Sequence, residues 1–108
     1  MRDDSFKDYV LDQLAALGVV RARAMFGGHG LYRGQDFFGF LHQGRLYFRT
    51  DALTRPDYTA RGMSPFQPNP RQTLASYYEV PVDVLDDTEI LASWAHAALS
   101  AYRDRRRK

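Results

Sequence analysis

From Val19 to Thr50 the sequence alternates in character residue by residue and is broken by glycine at short intervals. No other feature narrows the choice of fold so far. Side chains of an extended strand point to opposite faces with a period of two, and β-branched and aromatic residues suit that half-buried surface. The stretch predicts a meander of strands. In Val19-Val20-Arg21-Ala22-Arg23-Ala24-Met25-Phe26, alternation sets Arg21, Arg23 and Met25 on one face and Ala22, Ala24 and Phe26 on the other. Gly27-Gly28-His29-Gly30 reads as a tight hairpin connection, because glycine reaches positive φ without steric cost. Leu31-Tyr32-Arg33 resumes the extended chain, Gly34-Gln35-Asp36 turns, Phe37 to Leu41 forms a third strand, and His42-Gln43-Gly44 turns again. In the fourth strand Leu46 and Phe48 share one face while Arg45, Tyr47 and Arg49 share the other.

Helical periodicity brackets this meander. Phe6, Tyr9, Val10, Leu14 and Leu17 recur at helical spacing and predict a helix over about 5–17, with Ser5 as its cap and Gly18 as its stop. Ile90, Leu91, Trp94, Ala95, Ala98, Leu99 and Tyr102 form one apolar stripe and predict a long final helix, with Asp86 and Glu89 at capping-box spacing. Asp51 to Gly62 reads as a short helix with Pro56 near its start. Met63 to Gln72 holds Pro65, Pro68 and Pro70, which lack backbone donors, and is expected to be a loop. Thr73 to Val80 returns to strand composition before Pro81. The expected class is α+β: an antiparallel sheet of about five strands with an N-terminal helix, a short middle helix and a long C-terminal helix.

A chain of 108 residues, 44% hydrophobic, supports one core, so residues 1–102 are expected to form a single domain and residues 103–108 a basic tail. The absence of cysteine removes disulfides, thiolate metal sites and cysteine nucleophiles together, and points to the cytoplasm. No apolar run approaches the roughly 20 residues that span a bilayer, and Met1-Arg2-Asp3-Asp4 does not open like a secretory signal, so a soluble protein without membrane association is expected.

The formal net charge is +2. Its sign is set locally. Residues 1–20 carry −2, residues 21–50 carry +4, residues 51–102 carry −4 and the last six carry +4. The tail therefore determines the overall sign, and the basic block inside the fold comes from Arg21, Arg23, Arg33, Arg45 and Arg49 against Asp36 alone. Thirteen arginines against two lysines favour planar, bidentate recognition of phosphate or carboxylate. Arg21, Arg23, Arg45, Tyr47 and Arg49 are the candidate partner-binding residues, because two strands presenting them on one side would make a basic surface interleaved with an aromatic. The alternative fate of these arginines is neutralisation by the acids of the second half.

The residues offer little to catalysis. His29, His42 and His96 have no second histidine at ligand spacing, so no metal and no cofactor is expected. The glycine run lacks the helix start and the Gly-Lys-Ser/Thr ending of a phosphate loop. No serine sits in a Gly-x-Ser-x-Gly elbow, and Glu79 beside two tyrosines reads more readily as a salt-bridge partner than as a general base.

The run Arg21-Ala22-Arg23-Ala24-Met25-Phe26-Gly27-Gly28-His29-Gly30-Leu31-Tyr32 resembles the signature of the TfoX/Sxy N-terminal domain family. Further similar segments follow in order: Gly44 to Asp51, Pro65-Phe66, Ser76-Tyr77-Tyr78-Glu79-Val80-Pro81, Leu85-Asp86-Asp87 and Trp94-Ala95, so that the resemblance covers about residues 5–102. It implies a small α+β domain, with Met25, Phe26, Gly27, Gly28 and Gly30 as structural signature residues. Full-length members are bacterial regulators of natural competence, thought to act with the cyclic-AMP receptor protein, and they carry a C-terminal domain that this chain is expected to lack. The family's N-terminal domain brings no established catalytic residues. The resulting expectation is a non-enzymatic regulatory or interaction module that binds a protein of the transcription machinery or a nucleic acid. Two alternatives stand beside it: a small-ligand or minor enzymatic pocket near the glycine turn using Arg23, His29, Tyr47 and Glu79, and an obligate homodimer with the strand face as its interface.

Overall fold

The computed structural model describes residues 4–25 and 27–106, with side chains from Ser5 to Tyr102 apart from Phe26. Helix α1 (Asp4–Gln13) tightens into a 3-10 turn (Ala15–Leu17) that ends at Gly18, whose φ is 89°. Strands β1 (Arg21–Met25), β2 (Gly28–Arg33), β3 (Asp36–His42) and β4 (Arg45–Arg49) follow as the predicted meander. Helix α2 (Arg55–Thr59), strands β5 (Pro65–Asn69) and β6 (Gln72–Glu79), helix α3 (Val82–Leu85) and the long helix α4 (Thr88–Arg106) complete the described chain. The sheet has six strands rather than about five, all antiparallel, in the order β1-β2-β3-β4-β6-β5.

The sixth strand is the segment expected to be a loop. Its prolines do not prevent pairing, because β5 lies at the edge, where a missing donor on the solvent side leaves no ladder bond unmade. Pairing with β6 is irregular, with the register shifting on both sides of Phe66. The glycine run is also a narrower turn than expected. Met25 pairs with Gly28, so Gly28, His29 and Gly30 are strand residues, and Gly27, with φ of 77°, belongs to the connection. Phe26 lies outside the described residues. Gly28 and Gly30 serve close approach instead of turning: a Cβ on Gly28 would lie 2.0 Å from the Leu41 carbonyl oxygen, and one on Gly30 would lie 2.8 Å from Met25 Cε.

The helices cover one face of the sheet. Val10, Leu14 and Leu17 pack with Leu31, Phe38, Leu46 and Phe48 from the strands and with Leu91, Ala95, Ala98 and Leu99 from α4. Two residues read as core stand at its rim: Tyr9 is 39% exposed and donates its hydroxyl to Asp86, and Ile90 is 42% exposed. Ser5 lies within α1 and does not cap it. At α4 the capping carboxylate is Asp87, one residue later than expected, which accepts from the Glu89 and Ile90 amides at 3.1 Å each. The middle helix starts later too. Asp51 Oδ1 accepts from the amides of Leu53 and Thr54, and Thr54 Oγ1 accepts from the Asp51 amide, which closes a turn before α2 begins.

Phe48 is fully buried, with its ring 5.8 Å from that of Phe38. Phe48→Ala should cost about 3–5 kcal/mol of unfolding free energy. Urea denaturation followed by circular dichroism measures this, with the midpoint falling at unchanged slope.

Candidate partner-binding face

The face of the sheet turned away from the helices carries the arginines. Register sets its contents: Arg21 pairs with Tyr32 and Arg23 with Gly30, Phe37 also pairs with Tyr32, and Tyr47 pairs with both Phe40 and Glu79. Four of its aromatics, Phe40, Tyr47, Phe66 and Tyr77, are buried in a second cluster whose described members all come from strands. The sheet buries them by curling. Neighbouring strands lie about 4.8 Å apart, so β5 in a flat sheet would sit too far from β3 for close ring contact. Phe66 of β5 nonetheless meets Phe40 of β3 at 4.8 Å between ring centres and Tyr47 of β4 at 4.9 Å.

At one end of this face four contacts form a continuous row. The Arg23 guanidinium lies 5.7 Å from the centre of the Tyr32 ring, Tyr32 lies 5.2 Å from Phe37, Phe37 lies 5.8 Å from Tyr77, and Arg49 lies 5.3 Å from Tyr77. Arg49 also donates Nη1 to the Tyr77 hydroxyl at 3.1 Å. An arginine thus stands at each end of three aromatic rings drawn from β2, β3 and β6. A guanidinium over an aromatic face gains electrostatic attraction while keeping donors at its edge for a further partner.

The structure separates the predicted set. Arg23 and Arg49 share this row, and Arg21 is exposed beside it, donating Nη2 to the Gly34 carbonyl at 3.1 Å. Arg45 lies toward the other end of β4, where Nη1 meets Glu79 Oε1 at 2.9 Å and Oε2 at 3.1 Å. Its charge is locally neutralised. Tyr47 is 8% exposed and stacked on Phe40 at 5.1 Å, so it builds the second cluster and offers little surface. Sequence reasoning missed Tyr32, Phe37 and Tyr77 as members of the row. The available signal was the recurrence of an aromatic on each strand, but their alignment depends on the order of four strands.

The other predicted groupings are arranged as follows. Arg23 and His29 fall on opposite faces by alternation along the β1-β2 ladder, while Tyr47 and Glu79 lie beyond β3 on β4 and β6. These four side chains do not converge. Among the described residues no group of three histidine, cysteine, aspartate or glutamate side chains is placed to hold a metal ion, and no helix is long and apolar enough to cross a membrane. A cavity of about 110 Å³ opens beyond Arg49, lined also by Asp57 and Tyr58 of α2 and by Ser93 and Trp94 of α4.

Burial shifts three phenols of this region upward. Tyr77 is raised by burial against an opposing hydrogen bond and charge from Arg49, and Tyr47 by burial and the Glu79 carboxylate against Arg45. Tyr58 is raised most, by burial and the neighbouring Asp57, with its ring packed 4.6 Å from Trp94. The neutral phenol is the folded form. Its stabilisation is fully present below the ordinary value of 10.0 and is lost as pH rises above it, because the unfolded chain then releases a proton that the folded chain keeps. Tyr58→Phe should therefore lose less stability than the parent when denaturation midpoints at neutral pH are compared with those above pH 10.

The family model described as the TfoX N-terminal domain matches residues 12–102, a span that contains the whole sheet and every helix except most of α1 and the end of α4. No curated protein matches the chain.

Proposed function

The chain belongs to the TfoX N-terminal domain family, which is a competence-related regulatory domain, and on that premise we propose that it works without catalysis, by binding a partner on the open face of its sheet. The observation that carries this reading is the row Arg23–Tyr32–Phe37–Tyr77–Arg49, where two arginines flank aromatic rings on the face opposite the helix-covered core. The partner is anionic at its contact surface, a protein of the transcription machinery or a nucleic acid, and the setting is the cytoplasm. A charged face of this kind steers encounter and fixes orientation more than it adds raw affinity.

A gel shift with duplex DNA and a pull-down of transcription components test the proposal. Retention of a partner that weakens as salt rises is the expected result, since screening and counterion release both act on such contacts. Absence of any salt-sensitive partner in both assays overturns it. Arg23→Ala should weaken binding by about fivefold, on the order of 1 kcal/mol, and Arg49→Ala, whose guanidinium is already engaged by Tyr77, by less. The double variant Arg45→Ala/Glu79→Ala leaves the net charge unchanged and should bind like the parent.

A further inference from the structure

We infer that β1 is the docking edge for an acidic, extended segment of a protein partner, which adds to the sheet as a further antiparallel or parallel strand. The inference rests on the partner-binding reading above and narrows the partner to a polypeptide.

The two edges of the sheet are unlike. β5 carries Pro65 and Pro68 within its span and pairs irregularly with β6, so it presents a broken row of donors. β1 has no proline and pairs with β2 through five consecutive positions without a shift. Its outward groups follow from the register. Met25 and Gly28 flank a two-residue connection, and such a closing pair exchanges both backbone hydrogen bonds. Bonded and non-bonded pairs then alternate, so Arg23 and Arg21 bond inward to β2, while the N–H and C=O groups of Ala22 and Ala24 point away from the sheet. A regular edge with unpaired groups is a template for strand addition.

Side chains on this edge state the chemistry of the added strand. Ala22 and Ala24, small on the helix-side face, leave the outward backbone open to approach. Arg21 and Arg23 are exposed on the other face, two residues apart, where a neighbouring strand would place its alternate side chains about 5 Å away. Opposite charges at those positions are favourable and like charges are not. A second copy of this chain fits poorly for that reason: antiparallel self-pairing centred on Ala22 or on Arg23 sets arginine against arginine. A nucleic acid fits less well, because it cannot follow the alternating amides and carbonyls. Ring faces for base stacking are limited as well: Tyr47 and Tyr77 are each 8% exposed, Tyr32 lies under the Arg23 guanidinium, and Phe37 is half-buried.

The test is fluorescence polarisation of the full chain with a labelled peptide of alternating glutamate and threonine, beside a lysine-for-glutamate control and a labelled single-stranded oligonucleotide. The acidic peptide should bind, the lysine peptide should not, and backbone amide exchange at Ala22 and Ala24 should slow on binding. Ala24→Pro removes an outward N–H without touching the β1-β2 ladder and should weaken the peptide about tenfold, as should Arg23→Glu. Circular dichroism checks that the proline variant folds, and the exchange measurement on the parent chain needs no variant. No binding of the acidic peptide, unchanged exchange at Ala22 and Ala24, or binding indifferent to a folded Ala24→Pro variant overturns the inference. Oligonucleotide binding that depends on Arg23 and Arg49 but ignores Ala24→Pro overturns strand addition and leaves the open-face reading standing.

Discussion

Both faces of the sheet depend on one extra residue in β3. Gly39 pairs with Leu31 and Phe37 pairs with Tyr32, so Phe38 is the inserted residue of a bulge. Strict alternation would send Phe38 and Phe40 to the same side. The bulge instead lets Phe38 enter the helix-covered core while Phe37 and Phe40, three residues apart, both serve the opposite face. Phe40 then anchors the second cluster against Tyr47, Phe66 and Tyr77, and Phe37 carries the row from Tyr32 to Tyr77. Moving a strand by one residue exchanges every side chain beyond it between faces, so without the bulge Phe37 and Phe38 would change sides, and β3 would give the helix-covered core Leu41 without Phe38.

Glycine makes this arrangement fit. Gly39 sits on β3 where a Cβ would lie 2.4 Å from the Tyr47 carbonyl oxygen and 2.9 Å from Phe48 Cδ1. The backbone there is drawn onto β4, which sets Phe38 and Phe48 against each other. Gly30 does the same on the far face, leaving room for the Met25 thioether and the edge of Phe37. The signature run is thus mostly a packing device. Its methionine ends one strand, two of its glycines lie in the next, and Gly27 with its positive φ makes the turn.

The parts of the fold governed by local pattern were legible in the sequence. The period of two from Arg21 to Arg49 gave β1 to β4, and the apolar stripe from Leu91 to Leu99 gave α4, because each pattern reflects burial on one side of a single element. β5 was not legible. Its prolines argue against a strand in general, and their tolerance depends on the edge position, which is a property of the whole sheet. The candidate site was legible in part for the same reason. Arg23 and Arg49 were found by alternation, whereas Tyr32, Phe37 and Tyr77 become neighbours only through strand order and the bulge. The pairing of Arg45 with Glu79 joins residues 34 positions apart, so sequence could name the acid but not assign it to that arginine.

The arginines of the middle block therefore do unequal work, and their summed charge overstates what the face can offer. Arg45 is neutralised by Glu79, and Arg49 gives one donor to Tyr77 while its plane covers that ring. Arg61, from the acidic half, is used in the same double way, lying 5.4 Å over Trp94 while it meets Asp83 at 2.9 Å. Arginine suits this because a weakly hydrated, flat cation can shield an aromatic from water and still bond at its rim, which lysine does poorly. Where such stacking and pairing have already engaged a guanidinium, less of its charge is left for a partner. On the open face that leaves the balance at Arg21 and Arg23, both exposed. Arg21 gives one nitrogen to the Gly34 carbonyl, and Arg23 lies over the ring of Tyr32. The available positive charge thus lies on β1, the edge strand of the proposed strand addition, so the electrostatic argument and the backbone argument for that proposal concern the same place.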